Sequence, residues 1–187
     1  MRFLTYCLCC LIGLLSINPV YAGFDLQGTK AVIAQLGQGQ EVQIGTVSFE
    51  PPSQGKQSFE LELDHSKFTD FFLSMREFKC LAGDTEVSCH VPYPYKSPNV
   101  ISDGNYVWLE NRLMFMFKRP NEFGAKLWNG IYFKFAAVGD SLIGVPQAVD
   151  LNKIGAPPDD LNEPPYPDQE RHETNIAQRL VKALVIR

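Results

Sequence analysis

Five cysteines, three histidines and a carboxylate-rich stretch are the residues of this chain best suited to chemistry. Cys7, Cys9 and Cys10 fall early in an apolar N-terminal run and are expected to leave with it. Cys80 and Cys89 remain, with spacing Cys-x8-Cys. That spacing matches no usual zinc motif, and no histidine pair at helical spacing accompanies it, so a disulfide is expected and a metal site is not. The histidines, His65, His90 and His172, lie in three separate segments. Asp64-His65-Ser66 sets an acid, a base and a hydroxyl side by side, but neighbours on a strand point to opposite faces, which is not a triad geometry. His90 follows Cys89 and would activate a free thiolate; a disulfide removes that option. Asp159, Asp160, Glu163, Asp168 and Glu170 lack the fixed alternation of a calcium loop, and prolines interrupt them. No phosphate-cradling glycine loop, dinucleotide fingerprint or His-Glu-x-x-His is present, so no cofactor and no metal are expected.

One string carries a resemblance. Gly139-Asp140-Ser141-Leu142 resembles the signature of the lipase and esterase family named for those four letters, in which the serine is the nucleophile. That family places the string after the first strand of an α/β fold, and adds a Gly-x-Asn-Asp block and a late Asp-x-x-His. Here the string lies late, no Gly-x-Asn-Asp follows it, and Asp168 and His172 are spaced Asp-x-x-x-His. A nucleophile also needs a base within reach and an oxyanion hole. A hydrolase using Ser141 is therefore the weakest of three functional readings, with Gly139-Asp140 read as a hairpin turn. The opening Gly28-Thr29-Lys30 resembles the Gly-x-Trp of the first lipocalin strand without its tryptophan, and implies no residue role.

Aromatic residues are the remaining resource. Tyr93, Tyr95, Trp108, Trp128 and Tyr132 fall within some forty residues, alongside several phenylalanines. Large rings either fill a core or wall an apolar cavity with a few polar groups at its mouth, the usual make-up of a small-ligand site. These five are the candidate ligand-binding residues for a small apolar or amphipathic molecule, and no catalytic set is expected. The competing reading is an accessory or structural protein of the cell envelope, acting through a protein partner. Its supports are the Tyr-Pro-rich stretch 91–98 and the acidic stretch 155–170.

The elements that must position these residues are mostly strands. In 57–64, Phe59, Leu61 and Leu63 alternate with Ser58, Glu60, Glu62 and Asp64, the period of a half-buried antiparallel strand. Residues 29–36 and 41–49 read likewise, with a bulge expected at Gly45 where the apolar phase shifts. Residues 77–81 and 85–91 predict a hairpin that sets Cys80 opposite Cys89. Residues 112–118 are apolar on both faces and predict a covered central strand, after a short turn capped by Asp103. Asn129-Gly130 predicts a hairpin turn, and Gly139-Asp140 a second, before a strand over 141–149. Phe68, Phe71, Phe72 and Met75 stand at helical spacing, so a short helix over 66–75 with Ser66 as its cap is expected. Residues 155–170 hold five prolines and five acidic residues, and predict a solvated strap outside the core. A C-terminal helix or strand is expected within 171–187.

The whole predicts a mainly β, antiparallel barrel or two-sheet sandwich of six to nine strands with one or two short helices; the alternative is α+β. Residues 1–22, with Arg2, an apolar run and the ending Val20-Tyr21-Ala22, read as a cleaved secretory signal. A single β-rich domain, 23–187, follows. The expected location is the periplasm, or else the medium. At 187 residues, 45% hydrophobic and 20% charged, the composition is that of an ordinary globular chain. The net charge of −4 excludes the basic footprint of a nucleic-acid binder. No later apolar stretch has the length of a membrane-spanning helix.

Overall fold

The computed structural model describes residues 26–187 except 103; the expected signal, 1–22, lies outside them. Among the described residues, twelve antiparallel strands form one sheet. They are β1 Gly28–Leu36, β2 Glu41–Phe49, β3 Lys56–Leu63, β4 Thr69–Phe72, β5 Glu77–Ala82, β6 Val87–His90 and β7 Val100–Ser102. After the helix α1, Val107–Arg112, come β8 Phe115–Lys118, β9 Gly130–Val138, β10 Ser141–Val149, β11 His172–Glu173 and β12 Val181–Ile186. The spatial order is β4-β5-β6-β8-β9-β10-β12-β1-β2-β3-β7, with β11 beside β10. The path is open from β4 to β7, so the fold is a curled antiparallel sheet compatible with a sandwich, not a closed barrel. Helix α1 packs on both β9, in the middle of the sheet, and β7, at its end, and so fills the concave side. Its Trp108 and Leu109, with Phe115, Tyr132, Phe133, Leu142 and Leu184 from the strands, are fully buried.

Alternation made the strands legible, and several details hold. Phe59 is buried while Ser58 and Glu60 are exposed. The expected bulge is present: Val32 pairs with Gly45 and Ile33 with Gln43, which leaves Ile44 as the extra residue. A side chain at position 45 would meet the Glu62 carbonyl at 2.2 Å, so only glycine lets β3 approach there. Cys80 and Cys89 are direct partners across β5 and β6 and form the disulfide. Gly139, at φ +56, makes the turn between β9 and β10.

Other expectations are corrected. No helix covers 66–75. The Asp64 carboxylate accepts from the Ser66 N–H and hydroxyl, closing a 3₁₀ turn over His65–Lys67, and the chain then enters β4. The helical spacing there makes no buried stripe: Phe68 and Phe71 are half-buried against the core, whereas Phe72 is 71% and Met75 97% exposed. Asn129-Gly130 is no hairpin turn. It ends the long connection from β8, and Gly130 is needed because a Cβ would strike Leu151 and Val149. The expected turn before 112 is a full helix, and Asn105 accepts from the Val107 N–H at 3.1 Å; Asp103 lies outside the described residues. The covered strand expected over 112–118 begins only at Phe115, although Leu113 and Met114 are buried. The C-terminal segment is a 3₁₀ turn, Ile176–Gln178, and then strand β12, because β12 finds partners on both sides in β1 and β10. The strap is no purely solvated element: Tyr166 within it is fully buried. Among the described residues, no helix is long and apolar enough to cross a membrane.

Candidate functional site

The five aromatic candidates do not wall one cavity. Tyr93 stands edge-on to Tyr95 at 5.5 Å and to Trp108 at 6.2 Å between ring centres. Their polar ends hold the strap. The Tyr93 hydroxyl donates to the Gly155 carbonyl at 2.8 Å, and Trp108 Nε1 to the Leu161 carbonyl at 2.6 Å. Tyr132 lies apart from this row, in contact with Tyr166, and its hydroxyl donates to Asn111 Oδ1. Trp128 is more than half exposed, with the Lys126 ammonium 5.1 Å from its ring centre. Trp108, Tyr132 and Tyr93 thus fill core, whereas Tyr95 and Trp128 reach the surface.

Beneath the strap lies a buried ion pair. Arg171 Nη1 donates to Glu110 Oε2 at 2.9 Å, with both side chains more than nine-tenths buried. Glu110 Oε1 accepts from the Phe135 N–H, and the guanidinium sits 4.6 Å from the Tyr132 ring centre. Burial pushes the Glu110 carboxyl above its ordinary range, against the opposing pull of the Phe135 N–H and Arg171. The Tyr132 hydroxyl is pushed up by the same desolvation. This cluster is a clamp for the strap, for it presents no nucleophile with a base beside it.

Ser141 opens β10 opposite Val138. His172 pairs with Ala148, seven residues further along the same strand. At the strand rise this is about 24 Å, far outside hydrogen-bond reach. His90 Nε2 bonds the Arg112 carbonyl at 3.0 Å, so its neutral ring donates there; burial lowers it to about 4. His65 is exposed on its 3₁₀ turn. Among the described residues, no group of three or more His, Cys, Asp or Glu side chains is arranged to hold a metal.

An apolar hollow of about 260 Å³ lies elsewhere. Phe78 of β5, Val91 and Pro94 of the Tyr-Pro stretch, Met114, Leu127 and Leu151 build its wall. Backbone bonds lock these segments together: Val91 N–H to Met114, Ala125 to Leu73, and Leu151 to Leu127, all at 2.9 or 3.0 Å. Arg76 is the sole charged residue of this wall among the described residues, and its guanidinium lies 5.2 Å from the Phe78 ring centre. A second, larger cleft of about 600 Å³ runs between β3 and β7 on one side and β9 on the other. Its wall mixes Ile101, Phe135 and Tyr106 with Lys56, Gln57 and Ser102. Sequence reasoning singled out the 91–98 stretch but missed Arg76, Met114 and Leu127. Only the pairing of distant strands brings those residues together, and no local pattern reports it.

Compared with known protein families, curated proteins and solved structures, the chain matches none.

Proposed function

We propose that this protein is an exported, non-catalytic binding module, periplasmic or else secreted, that holds a small amphipathic ligand in the hollow beside Arg76. The observation that supports this most is the hollow's composition, an apolar wall with one cation. Such a wall takes the apolar body of a ligand, and a single guanidinium selects an acidic head group by a charge-assisted hydrogen bond. A medium-chain carboxylate has both parts. Octanoate titrated into the purified protein by calorimetry is the test, together with native mass spectrometry of protein taken from its host. Saturable binding is expected. It should weaken about tenfold in Arg76→Ala, the size expected of one lost charged hydrogen bond, and vanish when Leu127→Trp fills the hollow. Absence of octanoate binding together with absence of any co-purifying molecule would reject the reading.

The alternative is an envelope accessory protein acting through a protein partner. It is favoured by the exposed side chains of Phe72, at the end of β4, and of Met75, Phe123 and Trp128 on the β4–β5 and β8–β9 connections that flank the hollow. Four large exposed apolar side chains on neighbouring segments are more than a surface usually scatters at random. Strand β4 beside them is an edge, open to pairing with another chain. Cross-linking from position 123 in the intact envelope separates the two readings, because a single recovered partner protein would favour this one.

A further inference from the structure

A third cavity, about 600 Å³, has a different character. Its wall carries three cations, Lys118 of β8, Arg119 and Arg179, against two carboxylates, Glu86 and Glu122. Glu122 is engaged locally, since its Oε2 accepts from the Arg119 N–H at 3.0 Å. Glu86 holds the segment that brings Arg179: Oε1 accepts from the Leu180 N–H at 2.9 Å, and Oε2 lies 3.3 Å from Arg179 Nη2. The guanidinium is laid over Phe117, 3.5 Å from its ring centre. Its Nε and Nη1 are covered and have no hydrogen-bond acceptor among the described residues. Lys118 is only 3% exposed and makes no ion pair among the described residues. Two cations on largely buried side chains therefore face one largely buried carboxylate. A buried charge left without a counter-charge is costly, and chains that keep one there generally supply its partner.

We propose that this cavity binds a phosphate group, either free, as part of a small phosphorylated molecule, or as a lipid headgroup. Phosphate offers enough oxygens to take the planar fork of Arg179 and the point charge of Lys118 at once. Arg119 at the exposed rim adds the attraction that steers an anion inwards. Glu86 acts as a positioning residue, which sets the guanidinium against Phe117. The cavity shares no wall residue with the hollow beside Arg76, so either site can fail without the other.

The test uses the full exported protein in chloride buffers of fixed ionic strength. Inorganic phosphate at about five times its dissociation constant should raise the melting temperature by about 2–4 °C. A second arm measures co-sedimentation with phosphatidylglycerol vesicles against phosphatidylcholine vesicles. A response to inorganic phosphate supports the site as one for a free or small-molecule phosphate; selective vesicle binding without it supports a headgroup site. In either arm Lys118→Met should weaken binding at least about tenfold, and its melting temperature without phosphate should be no lower than that of the parent. Arg119→Glu, at an exposed position, should weaken binding without disturbing the fold, and it serves where Lys118→Met fails to fold. Absence of response in both arms, equal stabilisation by added chloride, or full binding by both variants would overturn the proposal.

Discussion

His90 shows how much one side chain depends on its surroundings. It ends β6 against Phe115, ring centres 5.6 Å apart, and its Nε2–H serves the Arg112 carbonyl. Burial disfavours the imidazolium and depresses its pKa from 6.5 to about 4. A base whose pKa falls on folding stabilises the native state above its unfolded value, and that stability is lost as pH falls through the window from 6.5 to 4. The loss amounts to as much as about 3 kcal/mol at the lower end. Urea unfolding of the parent and of His90→Gln at pH 7 and pH 4 measures it: the parent should lose more stability than the variant. Parallel losses in the two proteins would show that the histidine is not responsible. The sequence carried no measure of this burial. It placed His90 next to Cys89, where the expected disulfide already ruled out thiolate chemistry, but held no sign of the Arg112 carbonyl that makes the ring a structural hydrogen-bond donor.

Strands and turns divide into those whose own residues declare them and those decided by distant partners. The β5–β6 hairpin is of the first kind. Its alternation, its turn at 82–84 and its two cysteines all point to one pairing, and Cys80 lies opposite Cys89 as that pairing requires. The bridge closes a loop with a sequence separation of 9, between two fully buried residues. Replacing both cysteines by alanine should cost about 2–3 kcal/mol, seen as a lower urea midpoint that reducing agent no longer shifts. A reducing agent without effect on the parent would contradict it. Strand β4 is of the second kind. Phe68, Phe71, Phe72 and Met75 have helical spacing, yet an Asx turn at Asp64 and pairing with β5 make the segment an edge strand. Gly130 is similar, for its dipeptide signals a tight turn, while its real constraint is the room taken by Leu151 and Val149. The composition of the hollow was equally hidden, because its wall joins residues from β5, the 91–98 stretch and the connections after β8 and β10.

At the scale of the molecule, the strap is bound to the sheet rather than draped over it. Glu110 and Arg171 stand 61 residues apart in the chain, yet they form a buried pair. Removing one partner by Glu110→Ala leaves a buried guanidinium and should cost about 3–5 kcal/mol, whereas Glu110→Leu with Arg171→Met should recover most of that loss. Chemical denaturation of the two variants checks this, and an equal loss in both would show that packing rather than charge holds the strap. The strap's composition, rich in proline and acid, spoke for solvent; Tyr166 and Arg171 speak for the core, and neither stands out in the sequence.

The position of β12 sets the order in which the molecule can be assembled. The last strand of the described chain lies between β1, the first, and β10, so the sheet is continuous only after residues 181–186 insert between them. Without β12, β1-β2-β3-β7 and β4-β5-β6-β8-β9-β10 are two blocks with unpaired edges at β1 and β10, bridged by α1, which packs on β7 of one and β9 of the other. The β1–β12 contact joins segments about 150 residues apart, the kind of long-range pairing whose loop closure costs entropy before it is rewarded. Residues 181–186 therefore act as the seam of the molecule: without them no strand joins β1 to β10, and the sheet falls into two blocks along that line.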